Sequence, residues 1–403
     1  MELVYDPTRP EVRRDPFPLY EQLQAHDPVH WSEPMQSWIV TRYDDVRRVA
    51  MSRDMSPDRL TPFYEASTGE RRELLTEIMR YLNRWLVFRD PPEHTRLRRL
   101  LNTVFTPDAI ASMRPTITGT VEYVFRGLDT SQPVDFVREV AMLVPGYVIM
   151  DMLDIPRDDF PKIKRWSDDM RLFIGSARGV PDKYQRAHDG CVNMAEYFRD
   201  VIRQRRADPG KDFVSRMTIA RDEGNALTED ELVATCMLIL FGGHETTTSL
   251  LSNSVKALID HPDQFQRLRN EPELIETGVE EFLRYDGPSN SIARAVAKDH
   301  ELGGRELKKG ERVFAMINAA NRDNSRFEDP HTLDLSRSPN PHLTFGQGPH
   351  FCLGAPLARL EGKVTLSVLA ERFSEIKLAD GDVEWMDAMV MRGLESLPVE
   401  LKQ

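Results

Sequence analysis

The ten residues Phe345-Gly346-Gln347-Gly348-Pro349-His350-Phe351-Cys352-Leu353-Gly354 constrain this chain more than any other stretch. Three glycines and a proline surround one cysteine, and a helical pattern through Leu357, Ala358, Arg359, Leu360 and Glu361 follows at once. Glycine permits positive φ and close backbone approach, so the stretch predicts a tight loop wrapped round something bulky. Cys352 falls next to the N-terminus of the following helix, where a thiolate is favoured over a thiol. A lone thiolate on a rigid loop suits an axial ligand of haem iron. An ordinary strand-to-helix turn with a buried cysteine satisfies the same spacing, because it needs only turn chemistry.

Composition narrows the setting. The 403 residues carry 53 basic and 65 acidic side chains, a net charge of -12, which argues against a general nucleic-acid binder. No linker, repeat or low-complexity tract interrupts the chain, so one compact domain over residues 1–403 is expected. The first residues have no apolar core of signal-peptide length. No run approaches the ~18 apolar residues of a membrane span. A cytoplasmic protein is therefore expected. Cys191, Cys236 and Cys352 are too far apart to form a paired framework or a zinc CxxC site, which leaves Cys191 and Cys236 as structural thiols.

The remaining chain reads as mainly α with small β-sheets. Residues 29–31 and 37–41 predict two short strands, and 301–317 a hairpin turning at Gly303-Gly304. Residues 53–84, rich in charge and broken by prolines, read as irregular. Residues 108–206 are almost all helical pattern, with a break at 174–181 between long helices at 158–173 and 182–206. His94 and Arg98, four apart after a proline-marked helix start, share one face and could clamp carboxylates; a solvated basic face fits the same pattern. Arg96, Arg99 and Arg359 could form a positive patch, or simply lie at the surface.

Thr228-Glu229-Asp230-Glu231 is a capping box that launches a long helix to about Asp260. That helix then breaks its own rules at Gly242-Gly243-His244-Glu245-Thr246-Thr247-Thr248. Adjacent glycines cost about 1 kcal/mol each against alanine. An acid, Glu245, sits in an apolar stretch, where a charge is costly without a purpose. Such local rule-breaking points to a functional site. Further on, Glu281 and Arg284 are three apart on a helix and can pair.

Three of these motifs together resemble the cytochrome P450 family, over essentially the whole chain. They are Phe-Gly-x-Gly-x-His-x-Cys-x-Gly at 345–354, Gly-Gly-x-Glu-Thr-Thr at 242–247 and Glu-x-x-Arg at 281–284. The resemblance implies the P450 fold, a triangular haem-thiolate prism, in a bacterial type served by separate redox partners. It implies Cys352 as the iron ligand of haem b, with Phe345, Gly346 and Gly354 shaping its loop. His94, Arg98, Arg294 and His350 are the implied propionate partners. Gly242 and Gly243 are the implied dioxygen groove, and Glu245 with Thr246 the implied proton-handling pair. Glu281, Arg284 and Arg337 are the implied structural ion-pair group. Phe173, Ser289, Asn290, Ser291, Ile292 and Met391 are the implied pocket lining.

The activity so implied is insertion of one oxygen atom from O2 into a small molecule. Electrons would come from a ferredoxin or flavodoxin, because no glycine-rich flavin or nicotinamide fingerprint is present. A monomer is expected. Epoxidation, coupling or nitration fits the same motifs. A peroxide-driven oxygenase would not need Glu245 and Thr246, and a haem-thiolate sensor would be expected to lack them. The polar run Ser289-Asn290-Ser291 departs from the apolar stretch expected there. Either the substrate offers a hydrogen-bonding group, such as a partly oxygenated terpenoid, steroid, polyketide or fatty-acyl compound of secondary metabolism, or these side chains face away.

Overall fold

Alternate residues of the strand Arg312–Met316 are buried in two different apolar clusters. Val313 and Ala315 join Val29, Val40, Val46 and Val296, while Phe314 and Met316 join Tyr20, Leu23, Ile39 and Met389. Successive side chains of a strand point to opposite faces, so this strand is covered on both. The computed structural model describes residues 3–175, 180–221 and 225–403. Residues 176–179 of the expected break at 174–181 lie outside the described residues.

The chain forms two compact units: Met1–Met55, Ile117–Pro145 and Glu245–Gln403 in one, and Ser56–Thr116 and Gly146–His244 in the other. The division falls inside the helix Glu229–Asp260, between His244 and Glu245.

In the first unit, Val29–Ser32 pairs antiparallel with Ser37–Val40, which pairs parallel with Arg312–Met316 at Trp38 opposite Val313. Ser291–Val296 then pairs antiparallel with Arg312–Met316, Ser291 opposite Met316. The helix Tyr43–Met51 turns Tyr43, Val46, Val49 and Ala50 inward, with Asp44 and Asp45 in its first turn and Arg48 in its last. That charge order suits the helix dipole. The expected hairpin is His300–Leu302 with Arg305–Leu307, and Gly303 and Gly304 supply the positive φ its two-residue turn requires. The helices Ile275–Tyr285 and Ala355–Arg372 pack on each other.

In the second unit, Phe160–Ile174 packs against Lys183–Ala207. Gly190 makes that approach possible, since a Cβ there would lie 2.7 Å from the Trp166 carbonyl oxygen. Residues 53–84 are not irregular as expected. They contain the helices Leu60–Glu65 and Gly69–Leu82. Leu75, Ile78, Met79 and Leu82 form a buried stripe that packs on Lys183–Ala207. Their 3-and-4 spacing is helical, but interleaved charges obscure it, and tertiary burial decides the matter. The capping box forms: Thr228 Oγ1 accepts from the Glu231 amide at 3.3 Å, and Glu231 Oε2 accepts from the Thr228 amide at 2.8 Å.

Candidate functional site

Two glycines at φ +72°, Gly346 and Gly348, fold the cysteine loop. A side chain is strained at that φ, which is why both positions are glycine. The Gly346 amide donates to the Leu343 carbonyl at 2.7 Å, Phe351 to Gly348 at 3.0 Å, and Cys352 to Phe345 at 2.9 Å. The loop ends at the start of the helix Ala355–Arg372, with Gly354 as its N-cap. Cys352 is exposed, whereas Cys191 and Cys236 are buried. Burial pushes both of those thiols up, Cys236 to about 12, so they are held protonated and inert.

A rigid platform adjoins this loop. Arg359 donates to Glu280 at 2.7 and 2.8 Å and its guanidinium stacks 4.5 Å from the Phe345 ring centre. Burial would raise the Glu280 carboxyl; the bonds from Arg359 and His342 outweigh it and hold the group down at about 2. The Arg359 charge is therefore matched locally, and so is that of Arg96, which pairs with Glu231. Next to Glu280, the fully buried Glu281 accepts from Arg284 at 2.7 and 2.8 Å, from Arg337 at 3.2 Å and from Asn340 at 3.1 Å. Arg284 also donates to the carbonyls of Asn321, Pro330 and Thr332. Glu281, Arg284 and Arg337 thus come together and tie down the segment that leads to the cysteine loop.

The long helix runs α-helical without interruption through residues 242–248. Gly242, Gly243 and Thr246 are half-exposed, while His244, Glu245, Thr247 and Thr248 are buried. Three- and four-residue spacing puts Gly242, Gly243 and Thr246 on one face. The two glycines have different reasons. A Cβ at Gly243 would meet Ile149 Cδ1 at 2.5 Å, whereas one at Gly242 would meet nothing within 4 Å. His244 packs edge-on against Phe160, 5.6 Å between ring centres. His94 is buried in the first turn of Glu93–Asn102, and Arg98 follows one turn later. Phe173 joins Phe63 and Tyr184 in an aromatic trio with ring centres 6.0 to 6.2 Å apart.

The polar run at 289–291 has partners within the protein. Asn290 accepts from the Tyr20 hydroxyl at 3.1 Å and donates to the Met389 carbonyl at 3.1 Å. Ser291 Oγ donates to that same carbonyl at 2.8 Å. Ser289 forms a β-bridge with Met391. The Asn290 and Ser291 side chains are buried, and both donate to the Met389 carbonyl. Ile292 packs into the apolar cluster beneath the sheet, and Arg294 lies two residues on, largely buried. His350, half-buried, sits two residues before Cys352.

The family model for Cytochrome P450 matches residues 29–402. The chain belongs to the cytochrome P450 family. This P450 is 34% identical to the biotin biosynthesis cytochrome P450 of Bacillus subtilis (strain 168), over 96% of this chain and 97% of that one. It superimposes on the crystal structure of P450BioI in complex with hexadec-9Z-enoic acid ligated acyl carrier protein with a TM-score of 0.90 at 33% identity, covering 97% of this chain and 99% of that one. It also matches CYP109E1 from Bacillus megaterium in complex with testosterone, with a TM-score of 0.82 at 33% identity over 96% and 99% of the two chains. The expected mainly α architecture is that of P450 crystal structures. As a P450 monooxygenase it is an enzyme of a family that uses haem iron, dioxygen and redox partners. Among the described residues no helix is long and apolar enough to cross a membrane.

The residues of this P450 fit such a group. An accessible sulfur stands on a glycine-shaped loop, at the dipole-favoured start of a helix, while the other two thiols are buried away. The sequence reading did not anticipate the contacts of Ser249, Asn253, Arg392 and Gly393, or the burial of Glu361. Glu361 is fully buried on the helix Ala355–Arg372, and neither carboxyl oxygen has a hydrogen-bond partner among the described residues. A charge flanked by Leu360 and Val364 in an apolar pattern was the available signal. Desolvation raises its pKa well above 4.5. A raised folded-state value means that its contribution to stability is full below about 4.5 and declines as pH rises through the raised value. Urea midpoints of the wild type should therefore fall toward alkaline pH by more than those of Glu361→Gln. Parallel curves would refute the neutral-acid assignment.

Proposed function

We propose that this P450 inserts one oxygen atom from dioxygen into a C–H bond of an apolar small molecule, of fatty-acyl, terpenoid or steroid type, in natural-product metabolism. The observation that carries the reading is the exposed Cys352 thiol on its glycine loop, in contrast to Cys191 and Cys236, which burial makes inert. Haem b, when bound, supplies the oxidising chemistry, and a thiolate ligand favours O–O cleavage. Cys352 would hold the iron, and Phe345, Gly346 and Gly354 shape the loop that presents it. His94, Arg98, Arg294 and His350 would pair with the propionates as charge-assisted donors. Thr246, on the face shared with Gly242 and Gly243, would hold a proton at its hydroxyl, and buried Glu245 would relay one. One haem domain over residues 1–403, a monomer in the cytoplasm, would receive electrons from a ferredoxin or flavodoxin.

The apolar substrate class is supported by the bonds of Asn290 and Ser291 to residues 389–391, which occupy the polar groups of that run within the protein. The reduced, carbon monoxide-treated holoprotein should give a thiolate-type Soret band; a histidine-type band in folded protein would overturn the ligand assignment. Titration with hexadec-9Z-enoic acid and with testosterone should give a low-to-high-spin shift with at least one. If neither shifts the spectrum while a hydrophilic metabolite does, the apolar class is wrong.

A further inference from the structure

The segment 389–393 is clamped on two sides within the first unit. On one side are the bonds of Asn290 and Ser291 to Met389, and the Arg392 amide donates to the Pro288 carbonyl at 2.9 Å. Arg392 also forks onto Asp286 at 2.6 and 3.2 Å, donates to the Arg13 and Arg14 carbonyls, and stacks 3.7 Å from the Trp385 ring centre. On the other side is the helix Glu229–Asp260. Asn253 Nδ2 donates to both the Arg392 carbonyl at 3.1 Å and the Asp286 carbonyl at 3.0 Å. One turn earlier, Gly393 lies so close to the helix that a Cβ would sit 2.2 Å from Ser249 Oγ and 2.8 Å from Ser249 Cβ. Ser249 Oγ in turn donates to the Glu245 carbonyl at 3.2 Å.

From this chain of contacts we infer that Gly393 and Ser249 are positioning residues for Glu245, fixing the height of the helix turn that carries the acid. A side chain at 393 would press on the helix at Ser249. A rotamer change could move the hydroxyl but not the Cβ, so the helix turn itself would have to shift. Asn253 pins the same face one turn on, so the shift would be felt toward Glu245 rather than spread along the helix. The serine-to-carbonyl bond is of a kind that bends helices, which makes this turn responsive to what touches Ser249. The consequence for catalysis rests on the proton-handling role of Glu245 proposed above.

The test uses the haem-loaded full chain with no substrate. In Gly393→Ala, amide hydrogen exchange at 245–253 should quicken by about tenfold or more, with the helices of the second unit unchanged. The first-order rate at which the reduced holoprotein returns to the ferric state in air should change by about tenfold, because displacement of a proton donor by a fraction of an ångström has effects of that size. Gly393→Ala/Ser249→Gly removes both clashing atoms and should bring both readouts back within about twofold of Ser249→Gly alone. Gly393→Ala/Ser249→Ala keeps the Cβ contact and should recover less. If Gly393→Ala does not load haem, Ser249→Ala alone, which loses the bond to the Glu245 carbonyl, should quicken exchange at 245–253 and change the reoxidation rate, and no change in either would overturn the inference. A lowered unfolding temperature with unchanged exchange at 245–253 and unchanged reoxidation, or no rescue by Ser249→Gly, would overturn the inference. A wild type without a thiolate-type carbon monoxide band would instead count against the haem-thiolate reading itself.

Discussion

Cys352→Ser is expected to abolish the thiolate-type carbon monoxide band and, with it, essentially all oxygen insertion. A serine oxygen lacks the soft, electron-donating character that a thiolate gives iron. The apoprotein should hardly notice. The Cys352 side chain is exposed, and surface substitutions away from special features change stability by about 0.5 kcal/mol or less. Cys191→Ala and Cys236→Ala should behave in the opposite way. Both thiols are buried, so these variants lose packing and stability but keep the band. Carbon monoxide spectra and urea midpoints of the three variants, side by side, check the assignment. A retained thiolate-type band in Cys352→Ser would end it.

The second large effect belongs to a residue with no part in the chemistry. Glu281→Gln is expected to cost about 3–5 kcal/mol, because it strands buried cationic partners whose carboxylate is gone. Arg284 and Arg337 both donate to Glu281, and Arg284 has no exposed surface. A buried ion pair can often be replaced by apolar residues with little loss, but that should fail here. Arg284 also satisfies the carbonyls of Asn321, Pro330 and Thr332, which an apolar substitute would orphan. Glu281→Leu/Arg284→Met should therefore remain destabilised, and both variants should load less haem, since the carbonyls released belong to the segment leading to the cysteine loop. Denaturant midpoints and haem content decide it; a double variant as stable as wild type would reduce the group to a replaceable pair.

Much of the site was legible because its chemistry is local. The glycines at 346 and 348, the capping box at 228–231, and the i,i+3 pair of Glu281 and Arg284 are each written within a few residues. The structure sets them out as that spacing requires. The polar run at 289–291 could not be resolved in the same way. Its partners, Tyr20 and Met389, lie some 270 and 99 residues away, and no local pattern announces them. The helix Gly69–Leu82 was hidden for a related reason: its apolar stripe is thin, and burial against Lys183–Ala207 rather than propensity makes it helical.

Sequence alone determined the family, the glycine loop that carries Cys352, and the helix on which Glu245 and Thr246 stand, because those depend on residue type at short spacing. Tertiary structure alone decided which charges are already matched, as with Arg359 on Glu280 and Arg96 on Glu231. It also decided that Asn290 and Ser291 hold residues 389–391, and that Gly393 abuts Ser249 one turn beyond Glu245. Those facts arise from close packing between segments distant in the chain, where a single Cβ or a single carbonyl determines the fit.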